Sequence, residues 1–191
     1  MIPASSFSQP TDTKVLTHLN NLNTNKAKDI NDFPSRIIKG VADLIANPLA
    51  TMINKSLSSG VFPELLKHAK VTPLFKSGLK NDIKNYRPIS VLPIFDKIFE
   101  KIVHDRITTF LNKNNSIFKG QFGFQKGKST SSAVIHLTNI IAKCKVKKEV
   151  GCAIFLDLAK AFDTVNHRIL LDKLENWYQG SCLIMVRKLL D

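Results

Sequence analysis

The sequence predicts an α+β fold that is rich in helices, and three features of its 191 residues support this. Apolar residues recur at helical spacing over Pro34–Ser59 and Pro93–Asn114. Two β-rich segments, Lys70–Phe75 and 85–92, flank a turn-rich stretch and indicate a hairpin. An almost uncharged run over 150–156 is typical of a buried strand.

The composition narrows the class of partner. The 28 Lys and Arg against 15 Asp and Glu give a net charge of +13, which favours a polyanion such as nucleic acid. A basic protein without such a partner is the alternative, and no basic amphipathic helix for a membrane surface is recognised. Cys144, Cys152 and Cys182 lack zinc-site spacing and fit a reducing compartment. Without a transmembrane run or signal pattern, we expect an intracellular protein of the nucleus or cytoplasm, not a secreted one.

The N-terminal residues are expected to lead into the rest of the fold. Residues 1–31 are rich in Ser, Thr, Asn and Asp, and are predicted to be a loosely attached leader with a short helix over 12–22. Pro48 interrupts the next apolar pattern, so two helices or one kinked helix are expected there. Gly60 is placed to end that pattern.

The predicted hairpin is cationic. Between Lys67 and Arg87 there are six basic residues and one acid, Asp82. Such a tip suits a phosphate clamp, but lysines also protect exposed sheet edges from pairing with other strands. Composition alone does not separate these two hypotheses.

A glycine-rich loop with alternating lysine and phenylalanine covers 118–130. It is predicted to enter a helix capped by Ser129 or Thr130, with an apolar face that includes Val134 and Ile141. The spacing is not that of a phosphate-binding P-loop, although a helix N-terminus can still hold a phosphate. The phenylalanines either stack on bases or anchor the loop, and anchoring is the simpler hypothesis.

Asp157 falls at the end of the predicted strand 150–156. A buried, unpaired carboxylate costs roughly several kcal/mol, so a metal, a cationic partner or a solvated turn is needed to explain it. A further helix is predicted after it, with Ile169, Leu170, Leu171 and Leu174 facing the sheet. A short helical pattern follows over Leu183–Leu190.

Six segments occur in a recognisable order between about Ser59 and Trp177: VTPLFKSG, NYRPISVL, FEKIVHDRI, QFGFQKGKST, FLDLAKAFDTVNH and HRILLDKLENW. Together they resemble the reverse transcriptase domain of non-LTR retrotransposons of the jockey-like kind. The resemblance implies a partial polymerase right hand. Residues 1–58 would be leader and helical lead-in, and 59–191 a reverse transcriptase domain truncated within the palm. Within it, fingers would cover about 60–148, the start of the palm about 149–177, and a divergent tail 178–191.

The resemblance also assigns roles in the site. Asp157 corresponds to the first palm carboxylate, a catalytic ligand of two Mg²⁺ (or Mn²⁺) ions, and the carbonyl of Leu158 would add an oxygen. Phe162 corresponds to the aromatic gate that excludes a 2′-hydroxyl; ordinary core packing is its alternative. Arg87 would lie along the incoming triphosphate, and Lys76 is expected at the γ-phosphate.

The glycine-rich loop carries the remaining expected contacts. Template and nucleotide sugar would be contacted by Gln121, Phe122 and Gly123. Gln125 stands where the family usually has arginine, which should weaken any contact made there. Asp163 is expected to orient or cap the following helix, and His167 to be structural.

The sequence contains no Tyr/Phe-Ala-Asp-Asp segment, which supplies the family's other metal carboxylates. One aspartate does not hold two Mg²⁺ ions for in-line transfer. We therefore expect a retrotransposon RNA-directed DNA polymerase that, by itself, binds the metal unstably and does not polymerise. RNA template, DNA primer and dNTP are the partners that the family implies. The alternative is a basic nucleic-acid-binding remnant without catalysis.

Overall fold

The computed structural model describes residues 10–25, 29–31, 33–158, 161–177, 184 and 186–187. Helices and one antiparallel pair of strands confirm the α+β class. The elements are α1 (Asp12–Asn20), α2 (Ser35–Gly40), α3 (Ala42–Ser59), β1 (Lys70–Phe75), β2 (Tyr86–Val91), α4 (Ile94–Lys113), α5 (Thr130–Lys147) and α6 (His167–Trp177). Single 3-10 turns occupy Glu64–Leu66 and Ile83–Asn85.

The chain divides into two compact units. The first unit comprises Met1–Ile107 with Asn166–Asp191, and the second unit comprises Thr108–Val165. The hairpin and most helices belong to the first unit, whereas the glycine-rich loop, α5 and Asp157 belong to the second.

The helix predicted near the N-terminus forms as α1, and it is not loosely attached. It packs on α3, with Val15 and Leu19 fully buried. Asn54 Nδ2 of α3 donates to the carbonyl of Pro10 at 3.1 Å. Because Val15 and Leu19 are four residues apart, they share one helix face, and their burial attaches residues 10–25 to the core.

The break between α2 and α3 lies at Val41 and not at Pro48. Pro48 sits inside α3, where it removes one main-chain hydrogen bond. Ala46 and Leu49 on either side of it are buried, and their packing offsets that loss. Gly60 ends α3 in the left-handed region at φ 67°, as its position predicts.

The core of the first unit is built on α4, the helix with the clearest apolar stripe in the sequence. Phe99 and Ile102 are fully buried, and the Phe99 ring meets Phe62 edge-on at 4.9 Å between centroids. The buried carboxylate of Asp29 supports the start of α4, because its Oδ2 accepts the backbone N–H of Ile94 at 3.1 Å. A residue from the N-terminal region thereby satisfies a free amide of a helix that begins 65 positions later.

Asp96, in the first turn of α4, is 2% exposed, and its Oδ1 atom has no hydrogen-bond partner. Burial and, to a lesser extent, the neighbouring charge of Glu100 raise the pKa of this carboxyl to about 7, against the opposing effect of Lys97. Sequence periodicity placed Asp96 largely off the apolar stripe. The folded chain instead encloses it, and burial disfavours the charged form of the carboxyl.

The strand predicted over 150–156 is wrong. Residues 149–158 have no regular secondary structure, and Ile154, Phe155 and Leu156 are more than four-fifths exposed. A strand needs a neighbour for its N–H and C=O groups, and among the described residues only β1 and β2 are paired. The apolar run has the composition of a buried strand, but the described residues contain no sheet that buries it.

The helices of the C-terminal half were predicted correctly, but their burial was not. No described residue of α5 is buried, and Val134 is 62% exposed. In α6, Leu171 is buried whereas Ile169 is half exposed. The strand over 150–156 that α6 was predicted to face is absent from the described residues. The pattern predicted at Leu183–Leu190 falls mostly outside the described residues.

Candidate functional site

The hairpin places the two predicted phosphate ligands on one face. Leu74 lies opposite Arg87 in the antiparallel register, and Lys76 N–H donates to the carbonyl of Asn85 at 2.8 Å. Because side chains alternate along a strand, Lys76 and Arg87 project from the same side of the ribbon as diagonal neighbours. Residues on both strands are mostly exposed, so both cations are open to solvent.

The hairpin tip is held by its own side chains. Asn85 Nδ2 donates to the carbonyl of Leu79 at 2.9 Å, and the Tyr86 hydroxyl donates to that of Lys80 at 2.8 Å. Gly78 has φ 95°, and a Cβ there would lie 2.6 Å from Asn85 Nδ2, so glycine is required. These contacts give the tip a fixed course.

Asp82, the acidic residue within the cationic stretch, forms a local hydrogen bond with the backbone. Asp82 Oδ1 accepts the backbone N–H of Lys84 at 2.9 Å and starts the short 3-10 turn. Lys76, Lys80 and Lys84 are all exposed. The tip therefore presents cations to solvent, and its carboxylate faces its own backbone, as an anion-binding surface requires.

The glycine-rich loop is organised by Lys128, which sequence reasoning did not single out. Lys128 Nζ donates to the carbonyl of Gln121 at 2.7 Å and to that of Lys119 at 2.8 Å. The same ammonium lies 5.0 Å from the centre of the Phe122 ring, a cation–π distance. The Phe122 ring also contacts His136 of α5, with 5.4 Å between the ring centroids. The signal for Lys128 was its place in GKST just before the helix.

The three phenylalanines of this loop differ in role. Phe122 is half-buried and anchored, as the simpler hypothesis predicted. Phe118 and Phe124 are 77% and 92% exposed, so anchoring does not describe them. Phe124 also has a left-handed backbone at φ 58°, an uncommon conformation for a bulky residue.

Gln121 and Gly123 lie beside one another in the loop. Gln121 Nε2 donates to the carbonyl of Gly123 at 3.2 Å. Gly123 is exposed and has open space where a side chain would stand. The loop then enters α5 through Ser129, whose hydroxyl accepts the N–H of Ser132 at 3.2 Å, as the capping prediction required.

Asp157 and Leu158 are exposed in the segment without regular structure. Phe162 is 81% exposed, so it is not packed in a core, and its ring meets Phe124 edge-on at 6.3 Å. The second unit thus joins the glycine-rich loop to the expected gate residue by an aromatic contact. Among the described residues, no three His, Cys, Asp or Glu side chains are grouped closely enough to hold a metal ion.

The residue that caps α6 is Asn166 and not Asp163. Asn166 Oδ1 accepts the N–H of Ile169 at 3.2 Å. Asn166 directly precedes the first residue of α6, His167, and has the short side chain that a cap requires, whereas Asp163 lies too far upstream.

The expected site residues divide between the two units. Lys76 and Arg87 are together in the first unit. The others all belong to the second unit: Gln121, Phe122, Gly123, Asp157, Leu158 and Phe162. Within the second unit the structure brings Gln121 into contact with Gly123, and Phe162 into contact with Phe124 of the glycine-rich loop.

A sequence profile described as "Reverse transcriptase (RNA-dependent DNA polymerase)" matches residues 77–190, more than half of the chain. The chain belongs to the reverse transcriptase family. The match includes Arg87, the glycine-rich loop, Asp157 and Phe162, and it begins one residue after Lys76.

The similar proteins come from retrotransposons that lack long terminal repeats. The RNA-directed DNA polymerase from mobile element jockey of Drosophila melanogaster is 31% identical over 82% of this chain. Its Drosophila funebris counterpart is 33% identical over 73%. A probable RNA-directed DNA polymerase from transposon BS of Drosophila melanogaster is 32% identical over 68%.

The aligned regions are a small share of those relatives. They cover 17%, 15% and 14% of the three proteins, so this chain spans less than a fifth of their length.

No helix in the described part of the reverse transcriptase chain has both the length and the apolar character to cross a bilayer.

Proposed function

We propose that this chain provides the nucleotide- and template-contacting part of a retrotransposon reverse transcriptase that acts on an RNA template, a DNA primer and dNTPs. The observation that carries the proposal is the family match over 77–190, which includes Arg87, the glycine-rich loop and the Asp157 segment in one ordered stretch. The relatives' names state RNA-directed DNA polymerase activity.

The first unit would hold the triphosphate. Lys76 and Arg87 project from one face of the hairpin, close enough to contact the same polyanionic group. Arginine's planar fork suits bidentate contact with a phosphate, and lysine adds a point charge. The glycine-rich loop would contribute Gln121, Phe122 and Gly123 to template and sugar, with Phe162 as the gate.

The metal site is incomplete in these 191 residues. Asp157 and the carbonyl of Leu158 are oxygen donors of the kind that Mg²⁺ or Mn²⁺ prefers. Two donors do not fit the demands of two ions, and the sequence has no Ala-Asp-Asp segment. We therefore propose that the chain by itself neither binds these ions stably nor catalyses nucleotidyl transfer.

Primer extension tests this proposal. The chain is given a homopolymer RNA template, a DNA primer, dNTPs and either Mg²⁺ or Mn²⁺, and incorporation is measured. We expect none above a sample without protein. Robust incorporation that is abolished by Asp157→Asn would show that the carboxylate works without the missing partners and would overturn the inactivity proposal.

A second candidate function is that of a basic nucleic-acid-binding remnant without catalysis. The net charge of +13 and the exposed lysines at the hairpin tip favour it. Binding of an RNA oligomer should then weaken steeply as salt rises, because phosphate contacts release counterions. A flat dependence of affinity on salt contradicts both candidates. Selective loss of dNTP binding in Arg87→Ala, with RNA affinity barely changed, favours the reverse transcriptase role.

A further inference from the structure

We infer that Lys128 is a positioning residue, which holds the Gln121–Gly123 segment in shape and does not itself contact phosphate. The inference rests on the proposed function for the role of that segment. It adds a residue to the site and assigns its charge a different task from that of the other basic residues.

The contacts of the ammonium group carry the inference. A lysine ammonium has three donors and no acceptor. Two of these donors are directed to the carbonyls of Gln121 and Lys119, at 2.7 and 2.8 Å. Both distances are in the short range expected when the donor is charged.

The third element is the Phe122 ring. Its centre lies 5.0 Å from Nζ, within the range at which a cation is attracted to an aromatic face. The ring is half-buried and its neighbour is His136 of α5. Lys128 thus links two loop carbonyls, a loop side chain and, through Phe122, the helix that follows.

The contacts of Lys128 determine which groups of the Gln121–Gly123 segment are exposed to a nucleic acid. Both carbonyls turn toward one cation, which fixes the direction of the backbone on either side of Gly120. The Gln121 side chain is retained within the segment through its bond to the Gly123 carbonyl. The exposed Gly123 then stands at the surface with open space around it. Backbone can approach a nucleic acid closely at such a position.

The matched variants are Lys128→Met and Lys126→Met. Methionine keeps much of the length of the stem but removes the charge and the donors. Lys126 is exposed in the same loop two residues earlier, so its removal subtracts the same charge from the same region. Lys128→Arg retains donors for two carbonyls and serves as the conservative rescue.

The first measurement is the salt dependence of RNA binding by the full chain. Lys128→Met should weaken binding about tenfold or more, the effect of roughly one hydrogen bond to a charged group, and leave the slope of log K against log[salt] unchanged. Lys126→Met, if its charge contacts phosphate, should lower the slope by about one. Lys128→Arg should restore most of the affinity. A loss of slope in Lys128→Met would identify a phosphate ligand and overturn the inference.

The second measurement is independent of any ligand. The Gln121 amide donates to the carbonyl of Phe118 at 3.0 Å, so its hydrogen exchange reports the loop's shape. Exchange should become about tenfold faster in Lys128→Met and stay unchanged in Lys126→Met. The Ser132 amide, bonded to the helix cap, shows whether α5 remains folded.

The two measurements separate the inference from the proposed function. If the wild-type chain binds no RNA, the proposed function fails and hydrogen exchange alone decides whether Lys128 holds the loop. If exchange at Gln121 is unchanged in Lys128→Met, the positioning role fails even where RNA binds.

Discussion

The first unit is packed around a largely apolar core, whereas α5 and residues 149–158 of the second unit bury none of their described side chains. Ile53, Phe99 and Ile102 are fully buried. In contrast, Ile140 is 46% exposed and Leu156 88% exposed. An apolar pattern is present in the sequence of both regions, so the presence of a pattern alone does not account for the difference.

The difference shows that an apolar stripe indicates that a segment can be buried, but does not show that another element packs against it. Helix α1 packs on α3, and Phe99 of α4 packs on Phe62. The profile match begins at residue 77, after α1, α2 and α3, and it covers the residues expected to contact nucleotide and template except Lys76. The profile match therefore covers most of the expected site, and the alignment with the jockey protein, which spans 82% of this chain, extends further into the helices before residue 77.

The comparison is tested most strongly by trimming one apolar side chain in each region. Phe99→Ala removes a fully buried ring and should lower the free energy of unfolding by about 3–5 kcal/mol. Ile140→Ala on α5 should cost less than about 1 kcal/mol, because that side chain is already half exposed. Denaturant titration followed by circular dichroism measures both. Equal losses in the two variants would mean that the exposed face of α5 is covered in solution.

A second test concerns the buried carboxyl group of Asp96. The pKa of Asp96 is raised in the folded chain, so the folded state retains a proton between about pH 4 and pH 7 that the unfolded chain has lost. The stabilisation from this group is fully present below about pH 4 and is lost as pH rises through about 7. Asp96→Asn should therefore raise the free energy of unfolding at pH 8 by about 1–3 kcal/mol and change it little at pH 4.

The control for Asp96 is Asp43→Asn, because Asp43 lies exposed in the first turn of α3. Its pH profile should follow that of the wild type. His18 acts in the opposite sense, because burial lowers its pKa and its neutral form is favoured in the folded chain. The quantity to compare is therefore the difference between Asp96→Asn and wild type at each pH. A constant difference across the range would contradict the raised pKa.

The smallest expected effect lies at the entrance to α5. Ser129→Ala removes the hydroxyl that accepts the Ser132 N–H, and should cost about 1 kcal/mol of local helix stability. Hydrogen exchange in the first turn of α5 should then be about fivefold faster. Ser131→Ala, one position past Thr130 at the start of the helix, should change it little. If α5 were stabilised mainly by a buried face, neither variant would alter exchange there.

Local rules predicted much of the fold. Gly60 adopts the left-handed backbone that favours glycine, and it ends α3 as predicted. Two β-rich segments around turn residues gave strands at Lys70–Phe75 and Tyr86–Val91. Ser129 caps α5 because a short hydroxyl side chain at that position reaches a free amide. Each of these depends on a few adjacent residues, which is why sequence was sufficient.

Predictions that depended on distant partners failed. Residues 150–156 have the apolar character of a buried strand, but no strand pairs with them among the described residues. The attachment of residues 10–25 depends on α3, and the burial of Asp96 depends on how α4 is covered. The direction of the Lys128 side chain was also hidden, because GKST does not reveal whether an ammonium faces solvent or the loop's own carbonyls.

The hairpin register has one further consequence, which concerns solubility. Pro73 lies opposite Pro88, in a ribbon whose residues are mostly exposed. Because Lys76 and Asn85 form a hydrogen-bonded pair, alternation makes Pro73 and Pro88 a pair without cross-strand hydrogen bonds. At such a position the N–H of any other residue would point outward. The two prolines thus cost the ladder nothing and remove a donor from the middle of each outer edge, which hinders the ribbon from growing into an aggregate by adding strands.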